Sequence, residues 1–376
     1  MRILILLSIL LGTSAFAVDS DPIASEASVL QKMHDFFSSL SALRPYMVSS
    51  EKFKAPENSQ TIEAELTQLE NNIKLAAHEP SLSTPSYRIS RQVLQSHVSD
   101  TLRLFRYGNK DRARWSLNST MSLCMSCHSQ VRANSTSGLI LEASGLFPLS
   151  FERAEWLFVA RNFDKALELY SNTIRSYPAN KATPDQLKAS LERKIAIFTR
   201  VKRDLDGAKI NLEGDIRNKD LPLAVQETIR SWIITLRNLQ SEKLPDPNKA
   251  TATEITEFAK TYLDIKGRPI REENSREAMY MLVSGVLYEY INKHPKTELA
   301  PQILRWLAKC DEEINSRFFF PLVDVYLRQC IVQYPTSPIA KECYKDYENS
   351  IKTSYPRKVP ESVTEDLAEL KETLKL

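Results

Sequence analysis

The residues of this chain best suited to chemistry form one pentapeptide, Cys124-Met125-Ser126-Cys127-His128. Two thiols and an imidazole in the spacing C-x-x-C-H are the short signal for a covalently attached haem. The thiols add to the two haem vinyl groups as thioethers, and the imidazole binds the iron as the proximal ligand. In a helix, residues three and four apart share one face, so the three side chains can approach one haem together. The spacing predicts a single haem c held by Cys124 and Cys127, with His128 on the iron.

Paired cysteines also occur in redox-active disulfides and zinc sites, and the context of this pair argues against both. No second C-x-x-C is present to complete a four-cysteine zinc site. The pair lies late in a helical pattern, whereas a thioredoxin-like motif lies where a strand meets a helix. No other group of cysteines, histidines and carboxylates suggests catalysis, so we expect a protein that is not an enzyme.

The first 17 residues have the pattern of a secretory signal peptide. Arg2 supplies a positive charge, residues 3–11 are apolar, and an A-x-A cleavage site ends at Ala17. The apolar run is shorter than the roughly 20 residues that span a bilayer, and no later stretch is apolar enough to do so. The pattern predicts a periplasmic protein whose mature chain starts near Val18, without an integral membrane segment after cleavage.

The composition favours a packed helical protein. Hydrophobic residues make up 42% and charged residues 26% of the 376 residues, which indicates a folded core rather than disorder. Only 8 glycines are present, which favours helices over a turn-rich β architecture. The net charge of +3, with both signs interspersed, gives no reason to expect nucleic acid as a partner.

Four amphipathic helices are predicted before the end of the first third of the chain. Their apolar residues recur every three or four positions, and Gly108 ends the third of them. The predicted ranges are 21–48, 60–78, 86–107 and 110–133, with a polar linker at 49–59 and with Pro45 expected to bend or end the first helix. Short connections between such helices predict an antiparallel four-helix bundle, a fold that builds cofactor sites from inward-facing side chains.

With the pentapeptide in the last of these helices, residues 20–133 resemble the cytochrome c-prime and c-556 family. Members of that family are four-helix bundles with C-x-x-C-H in the final helix, often followed by an arginine four residues after the histidine, as Arg132 is here. The resemblance implies that Cys124 and Cys127 attach the haem, that His128 is the proximal ligand, and that Arg132 lies beside the haem on that side. It covers about the first third of the chain, and only the motif and its position are specific.

Members of this family differ in the residue that occupies the sixth coordination position of the haem iron. A methionine of the first helix makes a six-coordinate electron carrier, whereas an apolar residue there leaves the iron open to small gases. Met33 lies on the apolar face of the first predicted helix, near the family's position, and is the candidate sixth ligand. Met33 as a core-filling residue, and Met47 or His97 as ligands in its place, remain the alternatives.

The second half of the chain has repeats in place of further chemical motifs. The segment 162–170, which leads to Pro178, resembles the second helix of a tetratricopeptide repeat: Ala166 allows close helix approach, and Phe163 and Tyr170 fill the gap. Residues 291–300 and 331–340 also correspond to each other at an offset of 40 (335 − 295). These patterns predict a tetratricopeptide-like α–α solenoid at 151–376, separated by a linker at 138–150 from a haem bundle at 18–137.

Three cysteines lie outside the haem motif, and an odd number in an oxidising compartment leaves at least one unpaired. Cys330 and Cys343 lie on successive predicted helices and are the favoured disulfide pair, with Cys310 as the remaining thiol. Three buried thiols are the alternative.

The sequence as a whole predicts an all-α, periplasmic, mono-haem c-type cytochrome that transfers single electrons. Its helical repeats would dock a redox partner protein or peptide on their concave surface. Two other functions stay open: a sensor that binds NO or CO at an open haem, and a repeat scaffold or assembly protein in which the haem is secondary. The oligomeric state is not determined at this level.

Overall fold

The computed structural model describes residues 22–75, 85–129, 150–178, 182–241, 244–263, 276–314 and 320–376. Over these ranges the chain forms sixteen α-helices and no β-strand, which confirms the predicted all-α class. The predicted signal peptide, Arg132 and nearly all of the predicted 138–150 linker lie outside the described residues, and so do the side chains of Met33 and Cys127.

Five helices precede the gap that ends at residue 149. They are α1 (Pro22–Val48), α2 (Ser50–Lys54), α3 (Ser59–Leu75), α4 (Pro85–Arg106) and α5 (Lys110–His128). Wherever they are described, the four long helices begin and end within a few residues of the predicted positions. Pro45 does not end α1, which continues to Val48.

The prediction of a polar linker between the first two long helices was wrong in one respect. The structure contains the short helix α2 there, because the Ser49 side chain accepts a hydrogen bond from the backbone N–H of Lys52 and caps the helix. α2 carries Phe53, which is fully buried and packs edge-on against Phe105 of α4 at 5.3 Å. A single aromatic residue with no repeating pattern around it gives no periodic signal, so the helix was missed.

The long helices of this half pack in chain order, α1 on α3, α3 on α4 and α4 on α5, and α5 also contacts α1. Their buried faces are the predicted apolar stripes: Phe36, Phe37, Leu40, Leu43, Ile62, Leu66, Leu69, Ile73, Val98, Leu102, Phe105, Ala113, Leu117 and Met121. Gly108 ends α4 as expected, with φ +77°. The N–H of Gly108 donates to the Phe105 carbonyl, and the N–H of Asn109 donates to the Leu104 carbonyl. These two hydrogen bonds form a Schellman turn.

Eleven helices follow. They are α6 (Ser150–Val159), α7 (Phe163–Arg175), α8 (Pro184–Ala196), α9 (Leu205–Asp215), α10 (Leu223–Gln240), α11 (Ala252–Leu263), α12 (Arg276–Lys293), α13 (Ala300–Glu313), α14 (Val323–Gln333), α15 (Pro338–Ser354) and α16 (Glu361–Thr373). A π-helical segment, Ile197–Lys202, directly continues α8.

Neighbouring helices of this half pack in pairs, including α6 with α7, α12 with α13, and α14 with α15. On α7, Phe163, Ala166 and Tyr170 are all buried, as the repeat pattern requires. The two segments related by 40 residues are equivalent junctions, since α12 and α14 each end two residues before a proline and the next helix begins within five residues after it.

Two buried ion pairs join different elements, one between the neighbouring helices α8 and α9 and one between segments distant in sequence. Lys194 Nζ lies 2.6 Å from Asp215 Oδ2, and Arg200 Nη2 lies 3.0 Å from Asp311 Oδ1. The second pair links the π-helical segment to α13, and Asp311 also accepts the N–H of Leu322 at 3.0 Å. A buried charge is stable only when paired in this way, so these contacts determine how the segments meet.

The cysteine prediction is confirmed for the favoured pair. Cys330 of α14 and Cys343 of α15 form a disulfide, and Cys310 is a fully buried thiol.

The first five helices and the later ones are in direct contact. α5 packs on α6, and α4 packs on α14. Phe37 of α1 meets Trp156 of α6 edge-on, with ring centroids 5.1 Å apart. Among the described residues, no helix combines the length and apolar character needed to cross a bilayer.

Candidate functional site

The imidazole of His128 is held by the second half of the chain. His128 is the last residue of α5, and its Nδ1 lies 2.6 Å from the carbonyl oxygen of Val159, the last residue of α6. The final carbonyls of a helix have no partner within that helix, so this oxygen is free to accept. Because a carbonyl only accepts, Nδ1 carries the proton, and Nε2 is left with its lone pair.

The protonation state of His128 follows from its surroundings. The pKa of His128 is lowered to about 4: burial contributes most, the nearby Arg161 guanidinium also lowers this pKa, and the hydrogen bond to Val159 opposes both. The residue as a whole is only half-buried, but its Nδ1 side is covered by α6. At neutral pH the ring is neutral, which is the form that binds iron.

The other residues of the pentapeptide divide between surface and core. Cys124 is half-buried, whereas Met125 and Ser126 are fully buried. Ser126 Oγ lies 2.6 Å from the carbonyl oxygen of Phe320, just before α14, and 2.9 Å from the carbonyl of Ser122. Among the described residues, the pentapeptide therefore contacts the second half of the chain at Val159 and at Phe320.

The register of α1 against α5 decides which first-helix residues lie near His128. At one end, Arg114 Nη2 donates to the Met47 carbonyl at 2.8 Å. At the other, Phe37 contacts Trp156 of α6, the helix whose Val159 bonds His128. The two helices therefore run antiparallel, with Phe37 near the pentapeptide.

This register argues against Met47 as the sixth ligand, because it places Met47 far along the helix from His128. Asn118 Nδ2 reaches the Met47 carbonyl at 3.5 Å, and Asn118 precedes His128 by ten residues, about 15 Å along a helix. Met33 lies on α1 one turn before Phe37, at the level of the pentapeptide. Because its side chain lies outside the described part of the chain, ligation by Met33 stays a prediction.

His97, the remaining rival, makes packing and hydrogen-bond contacts in the described part of the chain. Its Nε2 donates to the Ser116 carbonyl at 2.9 Å, and its ring meets that of Phe320 at 5.8 Å. Ser116 precedes His128 by twelve residues, about 18 Å of helix, but Phe320, which the His97 ring contacts, is also the residue whose carbonyl accepts from Ser126. Ligation by His97 therefore stays an alternative. Burial lowers the pKa of His97, as expected for a packed neutral ring.

Three contributors to this site carried no signal in the sequence. They are the Val159 carbonyl, the Arg161 side chain and the Phe320 carbonyl. Val159 is 31 positions from His128, and Phe320 is 194 positions from Ser126. Backbone carbonyls have no sequence signature. Arg161 was indistinguishable from any surface arginine. The predicted neighbour Arg132 lies outside the described residues, and Arg161 is a cation near enough to lower the pKa of the imidazole.

The residues present fit a c-type haem. Such a group needs two thiols on one helix face and a neutral imidazole whose Nδ1–H is already used, and His128 has that hydrogen bond. In the part of the chain that the structure describes, no three histidines, cysteines or carboxylates gather as they would around a bare metal ion. A haem iron requires no such cluster, because the porphyrin supplies four of its ligands.

No protein-family model, no curated protein and no solved structure matches this chain.

Proposed function

We propose that this protein is a periplasmic mono-haem c-type cytochrome that transfers single electrons. Cys124 and Cys127 bind the haem covalently, and His128 is the proximal ligand of its iron. The observation that carries the proposal is the hydrogen bond from His128 Nδ1 to the Val159 carbonyl. This bond selects the tautomer whose Nε2 lone pair can bind a metal, and it occurs at the one histidine that ends a C-x-x-C-H sequence.

The chain's own residues have separate tasks in this function. The two cysteines fix the position of the haem, which supplies an iron that accepts and releases one electron. His128 supplies a neutral nitrogen, and Val159 orients the ring that carries it. The packed residues Met125 and Ser126 keep water from that side of the motif helix. No side chain needs to act as an acid or base, so the protein is not an enzyme.

The architecture that goes with this function has two parts. We assign α1, α3, α4 and α5 to a four-helix bundle of the cytochrome c-prime and c-556 type, within residues 18–137. Residues 138–150 link it to a tetratricopeptide-like α–α solenoid at 151–376, which docks a redox partner. The chain-order packing of the four long helices and the 40-residue offset between equivalent helix junctions support this division.

Attachment of haem tests the proposal directly. The full chain is produced in a periplasm that contains the haem-attachment machinery, and its intact mass and denatured haem spectrum are measured. We expect the mass of one haem to be retained after denaturation in acid, and to be lost in the double variant Cys124→Ala/Cys127→Ala. Cys310→Ala, which removes a buried thiol elsewhere, is the matched control and keeps the haem. A wild-type protein without bound haem contradicts the proposal.

The sixth ligand has its own test. With Met33 on the iron, carbon monoxide binds the reduced protein slowly, since it must displace a ligand. Met33→Ala then reacts rapidly, and the buried core residue Met121→Ala serves as the control. Rapid reaction of the wild-type protein would instead identify an open, gas-binding haem.

A further inference from the structure

The end of α6 has an unusual backbone at the position of Arg161. The N–H groups of Arg161 and Asn162 bond to the carbonyls of Phe158 and Leu157, so α6 ends in a Schellman turn. The turn requires a left-handed residue, usually glycine, and here Arg161 occupies it with φ +59°. A side chain in this region costs roughly 1–2 kcal/mol, and such strain concentrates at functional sites.

The carbonyl that immediately precedes the strained turn contacts His128. The Val159 carbonyl, at the negative end of the α6 dipole, accepts the Nδ1 proton of the imidazole. Arg161, two residues later in the same turn, brings a positive charge to this end of α6. A hydrogen bond to Nδ1 makes the imidazole a stronger donor to iron, which favours the ferric state, whereas a nearby cation favours the ferrous state.

The second contact with the pentapeptide is also anchored. Phe320, whose carbonyl accepts from Ser126 Oγ, begins a short segment that leads into α14. Two residues on, the N–H of Leu322 donates to Asp311, and Asp311 is in a buried ion pair with Arg200. The charged pair holds the segment in place, and the segment holds the motif helix.

From these contacts we infer that the second half of the chain is part of the haem site and sets the reduction potential of the iron. Val159 and Phe320 are positioning residues for His128, and Arg161 is an electrostatic one. The inference rests on the proposed haem function and goes beyond partner docking as the role of the repeats.

Charge at Arg161 gives the first test, made on full-length protein with haem attached. Arg161→Gln removes the cation, and Arg161→Lys keeps it. We expect Arg161→Gln to lower the reduction potential of the iron by about 59 mV for one electron. At a fixed electrode potential, this shifts the ratio of reduced to oxidised protein about tenfold toward the oxidised form. Arg161→Lys stays close to wild type. The left-handed backbone is the same in both variants, so only the charge differs.

Removal of the Phe320 contact gives the second test, and here we expect the reduction potential to change in the opposite direction. Ser126→Ala frees the end of α5 and weakens the bond from His128 to Val159, so the potential rises. Ser129→Ala is the matched control, because the hydrogen bond that Ser129 Oγ makes among the described residues is to the Ser126 carbonyl, within the same helix end. In addition, the Nδ1 proton of wild-type His128 should exchange slowly with solvent, as NMR can measure without any variant.

The outcomes separate the two proposals. A lower potential in Arg161→Gln together with a higher one in Ser126→Ala supports the inference. If either variant keeps the wild-type potential while haem is attached, the inference is overturned and the cytochrome function stands. If wild-type protein carries no haem, both fail.

Discussion

Single residues determine how closely the helices of the second half approach one another. Gly285 of α12 lies against the backbone of the π-helical segment, and a Cβ at this position would come closer than van der Waals contact to the Arg200 carbonyl oxygen. Glycine inside a helix costs roughly 0.5–1 kcal/mol relative to alanine. Close approach of the two backbones requires it here.

Gly285→Ala is expected to destabilise the protein by about 1–3 kcal/mol, because the added methyl group pushes the two segments apart. Urea unfolding followed by circular dichroism measures the change. Gly214→Ala is the control, since a Cβ there meets no atom within 4 Å. That variant should be as stable as wild type or slightly more so, and a Gly285→Ala protein that behaves the same way would refute the close approach.

His97 makes stability depend on pH. Burial lowers its folded-state pKa, so the unfolded chain takes up a proton near its ordinary value of about 6.5 while the folded ring stays neutral. Stability contributed by this residue is therefore complete above about pH 6.5 and falls as the pH drops toward the folded pKa.

His97→Gln is expected to reduce the loss of unfolding free energy between about pH 7.5 and about pH 5.5. The difference in slope from wild type is the quantity to compare, because the buried ring of His128 contributes to both proteins. Ser119→Ala, which removes only the hydroxyl 3.3 Å from His97 Nε2, should retain the wild-type slope. Parallel slopes for His97→Gln and wild type would contradict the assignment.

At the level of helices and their junctions, local chemistry explains most beginnings and ends. Thr183 and Gln186 form a reciprocal capping box at the start of α8, and Asp204 caps α9. The junction between α14 and α15 has an additional covalent tie, the Cys330–Cys343 disulfide across 13 positions. A loop of about this length loses enough unfolded-state entropy to contribute about 3 kcal/mol.

The variant Cys330→Ala/Cys343→Ala is expected to lose about 2–4 kcal/mol of unfolding free energy under non-reducing conditions. A reducing agent should lower the stability of wild type toward that of the variant and leave the variant unchanged. Titration of the denatured, haem-bearing wild type should find a single thiol, that of Cys310. Detection of three thiols would show that the bridge is absent.

For the whole molecule, the contact between its two halves is the main finding. Phe37 and Trp156 pack edge-on across the boundary, and α4 packs on α14. Buried residues of both halves belong to one continuous hydrophobic core. The predicted haem part and the predicted repeat part therefore share a packed interface, which is the condition for the second half to act on the haem.

A double-mutant cycle on Phe37→Leu and Trp156→Leu measures this coupling. An edge-on aromatic pair adds about 0.5–1.5 kcal/mol beyond the area it buries, so the two changes should be non-additive by that amount. Phe37→Leu combined with Phe258→Leu on α11 is the control cycle. Since α11 packs on α12 and α13, this second pair should be additive within about 0.5 kcal/mol. Additivity in both cycles would mean that the halves are independent.

The sequence alone determined the features that depend on residues a few positions apart. Helical periodicity located the four long helices of the first half and their apolar faces, and the spacing of the cysteines and histidine defined the candidate haem site. Proline and alanine spacing identified the equivalent junctions near Pro295 and Pro335. Such features are readable because turns, helix faces and caps depend on residues a few positions apart.

Only the tertiary structure showed what surrounds the pentapeptide. The Val159 carbonyl, the Arg161 charge and the Phe320 carbonyl come from far along the chain, and two of the three are backbone atoms. The close approach at Gly285 likewise depends on a helix far away in sequence. Packing between distant segments determines these contacts. A backbone carbonyl has the same chemistry in every residue, so no pattern of residue types could have identified them.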